Sequence, residues 1–139
     1  MSLRYHIFPD HGLVYVRYSG FVRISQTMQA FAQFAADPAA KTGSKQLVDL
    51  TRVTGYEANY AEIMKIQMSK AEVFLQGSHE TLLVYVANNE QNLKFANFIL
   101  RSWDGIDGVA ARVLQSEAEA LQVLGLPELT VADLDAAIA

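Results

Sequence analysis

The chain has 139 residues, no cysteine, 51% hydrophobic residues and 11 basic against 15 acidic side chains, for a formal charge of −4. That length favours one domain, 1–139, burying roughly two-thirds of its unfolded surface, and the apolar content excludes intrinsic disorder. The missing thiols exclude disulfides, thiolate catalysis and sulfur metal sites, and the acidic balance argues against nucleic acid as a partner.

Arg4-Tyr5-His6-Ile7-Phe8 reads as a strand and Asp10-His11-Gly12 as a turn, with Gly tolerating positive φ and Asp bonding its own backbone. Leu13 to Tyr18 is a second strand of β-branched and aromatic residues, so the pair predicts an antiparallel hairpin ended by Ser19-Gly20. Ser25 is the expected N-cap of a helix whose apolar stripe is Ile24, Met28, Phe31 and Ala35, stopped by Asp37-Pro38. Gln46 to Leu50 is the third strand, and a loop follows through Gly55 to Asn59. Asn59-x-x-Glu62 has the spacing of a reciprocal cap. Tyr60, Ile63, Met64, Met68, Ala71 and Leu75 continue one helical face, which Gly77 closes.

Thr81 to Ala87 is apolar on both parities, as in a strand covered on both sides. Asn88-x-x-Gln91 is expected to cap a third helix carrying Leu93, Phe95, Ala96, Ile99 and Trp103. After Gly105 and Gly108 comes the strand Val109 to Leu114. Ser116-x-x-Glu119 is then a capping box opening a short helix with Ala120, Leu121 and Leu124, ended by Gly125 and Pro127. Residues 130–139 form a helical turn or two, or a loose tail. The order β-β-α-β-α-β-α-β-α predicts an α/β fold: a mixed, mostly parallel sheet with an N-terminal antiparallel hairpin and right-handed crossovers. No stretch approaches the ~20 apolar residues of a membrane helix, and the N-terminal residues lack a signal-peptide core. A soluble, cytoplasmic chain without membrane insertion is expected.

The chemistry-bearing residues are sparse. His6, His11 and His79 lack the spacing that brings two imidazoles to one ion, so no metal site is expected. No Gly-x-Ser-x-Gly elbow and no phosphate loop occurs, and no catalytic residues or cofactors are assigned. Asp49 interrupts an apolar strand and needs backbone donors or an arginine, Arg52 or Arg112, unless its face is wet. The stretch Thr54 to Tyr60 leaves a central strand and enters a helix, where open α/β sheets bind ligands. Tyr56, Glu57, Ala58, Asn59 and Tyr60 therefore form the candidate binding surface, with Asn88 and Asn89 as neighbours at the same sheet end. Plain structural duty, with Asn59 only a cap and Tyr60 in the core, competes with that reading.

Arg4, His6, Tyr15, Arg17 and Arg112 each share a strand with apolar residues of the other parity. One sheet face mixing arginine and tyrosine fits an interface in a homodimer, or simply a wet sheet side. Phe31, Phe34, Phe74, Phe95, Phe98 and Trp103 sit at helical spacing and read as core rather than as a cofactor pocket.

Three strings carry a resemblance: Gly12 to Gly20, Gln46 to Gly55 and Arg112 to Leu121. With the element order, they make the chain similar to STAS-like domains, and most of all to small bacterial stand-alone proteins of the STAS/SEC14 type. The resemblance implies a non-enzymatic regulatory or binding module that recognises a protein partner or a small ligand. In the anti-sigma-factor antagonists of that class a phosphorylatable serine follows the central strand. Here Tyr56-Glu57-Ala58-Asn59-Tyr60 offers none, so no serine-phosphate switch is expected. Two alternatives remain. One is a carrier of a small apolar ligand or lipid between sheet and helices, supplied by Met64, Met68 and the aromatics. The other, ranked last, is an enzyme with Glu57 as base.

Overall fold

The structure is a computed structural model and describes residues 2–40, 44–74 and 80–138. Strand β1 (Ser2–Phe8) pairs antiparallel with β2 (Leu13–Val22), Phe8 opposite Leu13, across a 3-10 turn (Pro9–His11) closed by Gly12 at φ 58°. Only glycine adopts that left-handed geometry without strain. Thereafter the chain alternates: α1 (Ile24–Ala36), β3 (Lys45–Tyr56), α2 (Tyr60–Phe74), β4 (Thr81–Val86), α3 (Glu90–Ser102), β5 (Val109–Leu114), α4 (Glu117–Val123) and α5 (Val131–Ile138). Strands β2 to β5 are parallel, and the five-stranded sheet has the order β1-β2-β3-β4-β5. The α/β class, the hairpin and the element order are those expected.

A sheet that grows in one direction through right-handed crossovers puts its connecting helices on one face. Accordingly α1, α2 and α3 share a core with Val14, Val48, Leu50, Leu83 and Tyr85. The opposite parity, Leu13, Tyr15, Leu47, Val84 and Val86, packs beneath α4 and α5. Among the described residues no helix is long and apolar enough to cross a membrane.

Several local expectations are corrected. Strand β3 runs on to Tyr56: after one register shift Gly20 pairs with Val53, and after a second Phe21 pairs with Gly55 and Val22 with Tyr56. Thr54, Gly55 and Tyr56 are thus strand, not loop. A Cβ on Gly55 would lie 2.9 Å from the Phe21 ring, so a side chain here would displace that ring. Helix α1 begins at Ile24, so Ser25 lies inside it, and its N-cap Arg23 makes no side-chain cap bond. Its buried face is Ile24, Thr27 and Phe34, with Met28 exposed. Thr27 takes a core position because its hydroxyl donates back to Arg23 O at 3.2 Å.

On α2 the buried residues are Ile63, Ile66, Gln67 and Ala71, while Tyr60 and Met68 are exposed. Gln67 occupies the place expected of an apolar residue. The box of α3 is Asn89 with Asn92, one residue beyond the expected pair. Residues 131–138 form a true helix, started by a second box in which Thr130 and Asp133 bond each other's backbone N–H. The expected closure of α2 at Leu75 to Gly77, like His79, lies outside the described residues, as does the Phe74 side chain.

Candidate functional site

At the rim the structure brings 54–60 and 88–92 together: Gln91 Nε2 donates to Thr54 O, and Asn92 Nδ2 donates to Thr51 O at 3.3 Å. The individual side chains there hold the fold. Glu57 Oε1 accepts from Ile24 N at 3.2 Å, capping α1 from a distance in sequence. Asn59 Oδ1 accepts from Glu62 N at 3.2 Å, and the Tyr60 hydroxyl donates to Arg101 O at 2.9 Å. The Tyr56 ring lies 4.7 Å and 5.1 Å from Phe95 and Phe98. The backbone N–H groups of Asn88 and Asn89 both donate to Asn92 Oδ1, and Ala58 is exposed.

The arginine–tyrosine face is the one that α4 and α5 cover. Tyr15 is fully buried, and its hydroxyl accepts from Arg17 Nη2 at 2.9 Å and Nε at 3.1 Å. Arg17 also meets Asp135 of α5 at 2.5 Å, with Asp49 at 3.7 Å, and Arg4 donates to Ile138 O at 2.8 Å. Asp49, also fully buried, accepts from Thr51 N at 2.8 Å and from Arg52 at 2.6 Å. Of its two expected arginine partners, Arg52 is the one used; Arg112 turns to Ala111 O at 2.8 Å. His6 is exposed against the Phe8 ring. Burial raises the Tyr15 hydroxyl pKa, reinforced by Glu117, and burial likewise raises that of the Glu117 carboxyl. Arg4 and Arg17 thus bond to α5, while Tyr15 is buried beneath α4 and α5.

The opposite face holds a cavity of about 80 Å³ between the sheet and α1, α2 and α3. Its floor is Val14, Val48, Leu50 and Leu83; Phe34, Ile63, Ile66, Phe95 and Ile99 roof it. Leu3, Tyr5, Ala30, Phe31 and Lys70 line one margin and are only partly buried, so the opening lies there. Part of the polar lining is hydrogen-bonded. Trp103 Nε1 donates to the Tyr85 hydroxyl at 2.9 Å, and Gln67 Nε2 donates to Ser102 Oγ at 3.0 Å. Burial pushes the Tyr18 hydroxyl up to about 12, with Thr27 pulling it back, and raises Tyr85 as well. Both phenols therefore stay protonated at neutral pH. Burial pushes the Lys70 ammonium down to about 8. Lys70 still carries charge at neutral pH in an otherwise apolar chamber.

Sequence reasoning passed over Tyr18, Gln67, Lys70 and Tyr85 because they come from three separate elements and form no motif. The available signal was a polar residue in phase with an apolar stripe: Thr27 after Ile24, and Gln67 and Lys70 after Ile63. Among the described residues no group of His, Asp or Glu is placed to hold a metal ion. The chain matches no family model and no curated protein.

Proposed function

We propose that the chain is a non-enzymatic binding module of STAS-like type, acting in the cytoplasm, that holds a small, largely apolar molecule between its sheet and helices. The cavity supports this reading: about 80 Å³ is left open in the middle of the larger core, where native interiors seldom leave voids above the size of a water. Its lining is aliphatic and aromatic with a few fixed polar groups, the usual composition of small-molecule sites. The chamber is too small for a whole phospholipid. In a titration with 1-hexanol followed by methyl NMR, the shifts should centre on Val48, Leu50, Ile63, Ile66 and Ile99. Ala30→Leu, which fills the margin from α1, should abolish them. Shifts spread evenly over the surface, or none, would remove the proposal.

A second reading, recognition of a protein partner at the rim, is favoured by Phe21 and Tyr60, which are 43% and 39% exposed beside the ends of β2 and β3. A second copy of the chain is one such partner. The double variant Phe21→Ser and Tyr60→Ala should then lower the mass seen by light scattering at high concentration; a monomeric mass in the parent chain dismisses the homodimer.

A further inference from the structure

Among the described residues the Gln67 Oε1 atom and the Lys70 ammonium, both at the cavity, have no partner, and together they restrict what it can hold. Gln67 is 2% exposed. Nε2 donates to Ser102 Oγ at 3.0 Å, while Ser102 gives its own proton to Ile99 O at 2.5 Å and has none to offer in return. Oε1 is therefore left buried without a partner, and a buried acceptor of this kind calls for a donor. One turn further along α2, at the i+3 position that shares its face, Lys70 lines the same chamber. Among the described residues its ammonium has neither an ion pair nor a hydrogen bond.

Among the described residues no Asp, Glu or Arg side chain lines the cavity, and its other titratable groups are Tyr5, Tyr18 and Tyr85 from the sheet. Asp37, just beyond the end of α1, is engaged by the Tyr5 hydroxyl at 3.0 Å. A partly desolvated cation with no counter-ion is costly, and a bound anion relieves that cost. Size sets the rest. One water needs about 10–15 Å³ of such volume, so the chamber suits a ligand of roughly five to eight non-hydrogen atoms.

Resting on the cavity-binding reading above, we propose that the ligand is a small hydroxy acid. Its apolar body lies against Val48, Leu50, Leu83 and Phe34, its carboxylate pairs with Lys70, and a neighbouring hydroxyl donates to Gln67 Oε1. A bound carboxylate holds the proton on Lys70, so binding takes up protons as the pH passes above about 8. Affinity for the acid falls over that range.

Three probes with one shared body test the assignment by calorimetry on the full chain at neutral pH: 2-hydroxypentanoate, pentanoate and 1-pentanol. Pentanoate should bind about tenfold more tightly than 1-pentanol, and the added hydroxyl should bring roughly another threefold to tenfold. Lys70→Met keeps the aliphatic stem and should erase the carboxylate preference; Gln67→Met should erase only the hydroxyl preference. Retained 1-pentanol binding shows that each variant is folded. Raising the pH above that of Lys70 should weaken pentanoate and leave 1-pentanol unchanged. If 1-pentanol binds as tightly as both acids, or Lys70→Met keeps the carboxylate preference, the hydroxy-acid assignment is overturned while the cavity reading stands. If none of the three binds, both are overturned.

Discussion

The two faces of this sheet treat buried polarity in opposite ways. Beneath α4 and α5, Asp49 is fully buried yet answered by Thr51 N, Arg52 and Arg17, and Arg17 carries the contact onward to Asp135. Charge there is paired and serves to fasten the last helix. Beneath α1, α2 and α3, Lys70 and Gln67 Oε1 face a cavity and have no partner among the described residues. A closed network fixes a structure, because removing one member strands the rest. An open one leaves bonding capacity for a molecule from outside. The contrast places anchoring on one side of the sheet and reception on the other.

The sharpest way to break that contrast is to strand the paired face. Asp49→Ala leaves Arg17 partly buried and deprives Thr51 N of its acceptor; it should cost about 3–5 kcal/mol in urea unfolding. Leu134→Ala, at a fully buried position on α5, should cost about 2–5 kcal/mol through the cavity it opens. It should also expose the arginine–tyrosine face to proteolysis or self-association. Glu57→Ala removes the carboxylate that meets Ile24 N and should cost about 1 kcal/mol, read as faster hydrogen exchange in the first turn of α1.

The smallest effect has the opposite sign. Lys70→Met should leave the chain as stable or up to about 1 kcal/mol more stable at neutral pH, because a desolvated charge disappears. Lys70 sits at about 8 in the folded chain against 10.5 as its ordinary value. Between those values the unfolded chain binds the extra proton, so parent stability rises with pH across that window. The advantage of Lys70→Met should therefore shrink from about pH 8 upward and vanish above about 10.5. An advantage that persists at high pH would show that the methionine gains by packing instead.

Much of the architecture was legible in the chain. The glycine turn, Asp37-Pro38 and the box at Ser116 are local signals whose physics acts within a few residues, and each marks a real boundary. Reading failed where a distant partner decides. Gly55 looks like a loop residue, yet it pairs with Phe21 in β3 and leaves room for the Phe21 ring. Helix α1 takes its first-turn acceptor from Glu57, more than thirty residues on, so no nearby cap residue marks its start. The stripes of α1 and α2 were misplaced because Thr27 and Gln67 sit in the core, and those two residues also line the cavity. The site was illegible for the reason that makes it a site: its polar groups interrupt the pattern by which a core is recognised.

The open chamber also makes the molecule mechanically uneven. Hydrostatic pressure favours whichever state has the smaller total volume, and internal voids are what unfolding eliminates. The layer of α1 to α3 contains about 80 Å³ of such void, and the layer of α4 and α5 rests on tightly seated leucines. Compression should therefore loosen or hydrate the first layer while the second keeps its shape, and an occupant of the chamber should make the whole protein stiffer.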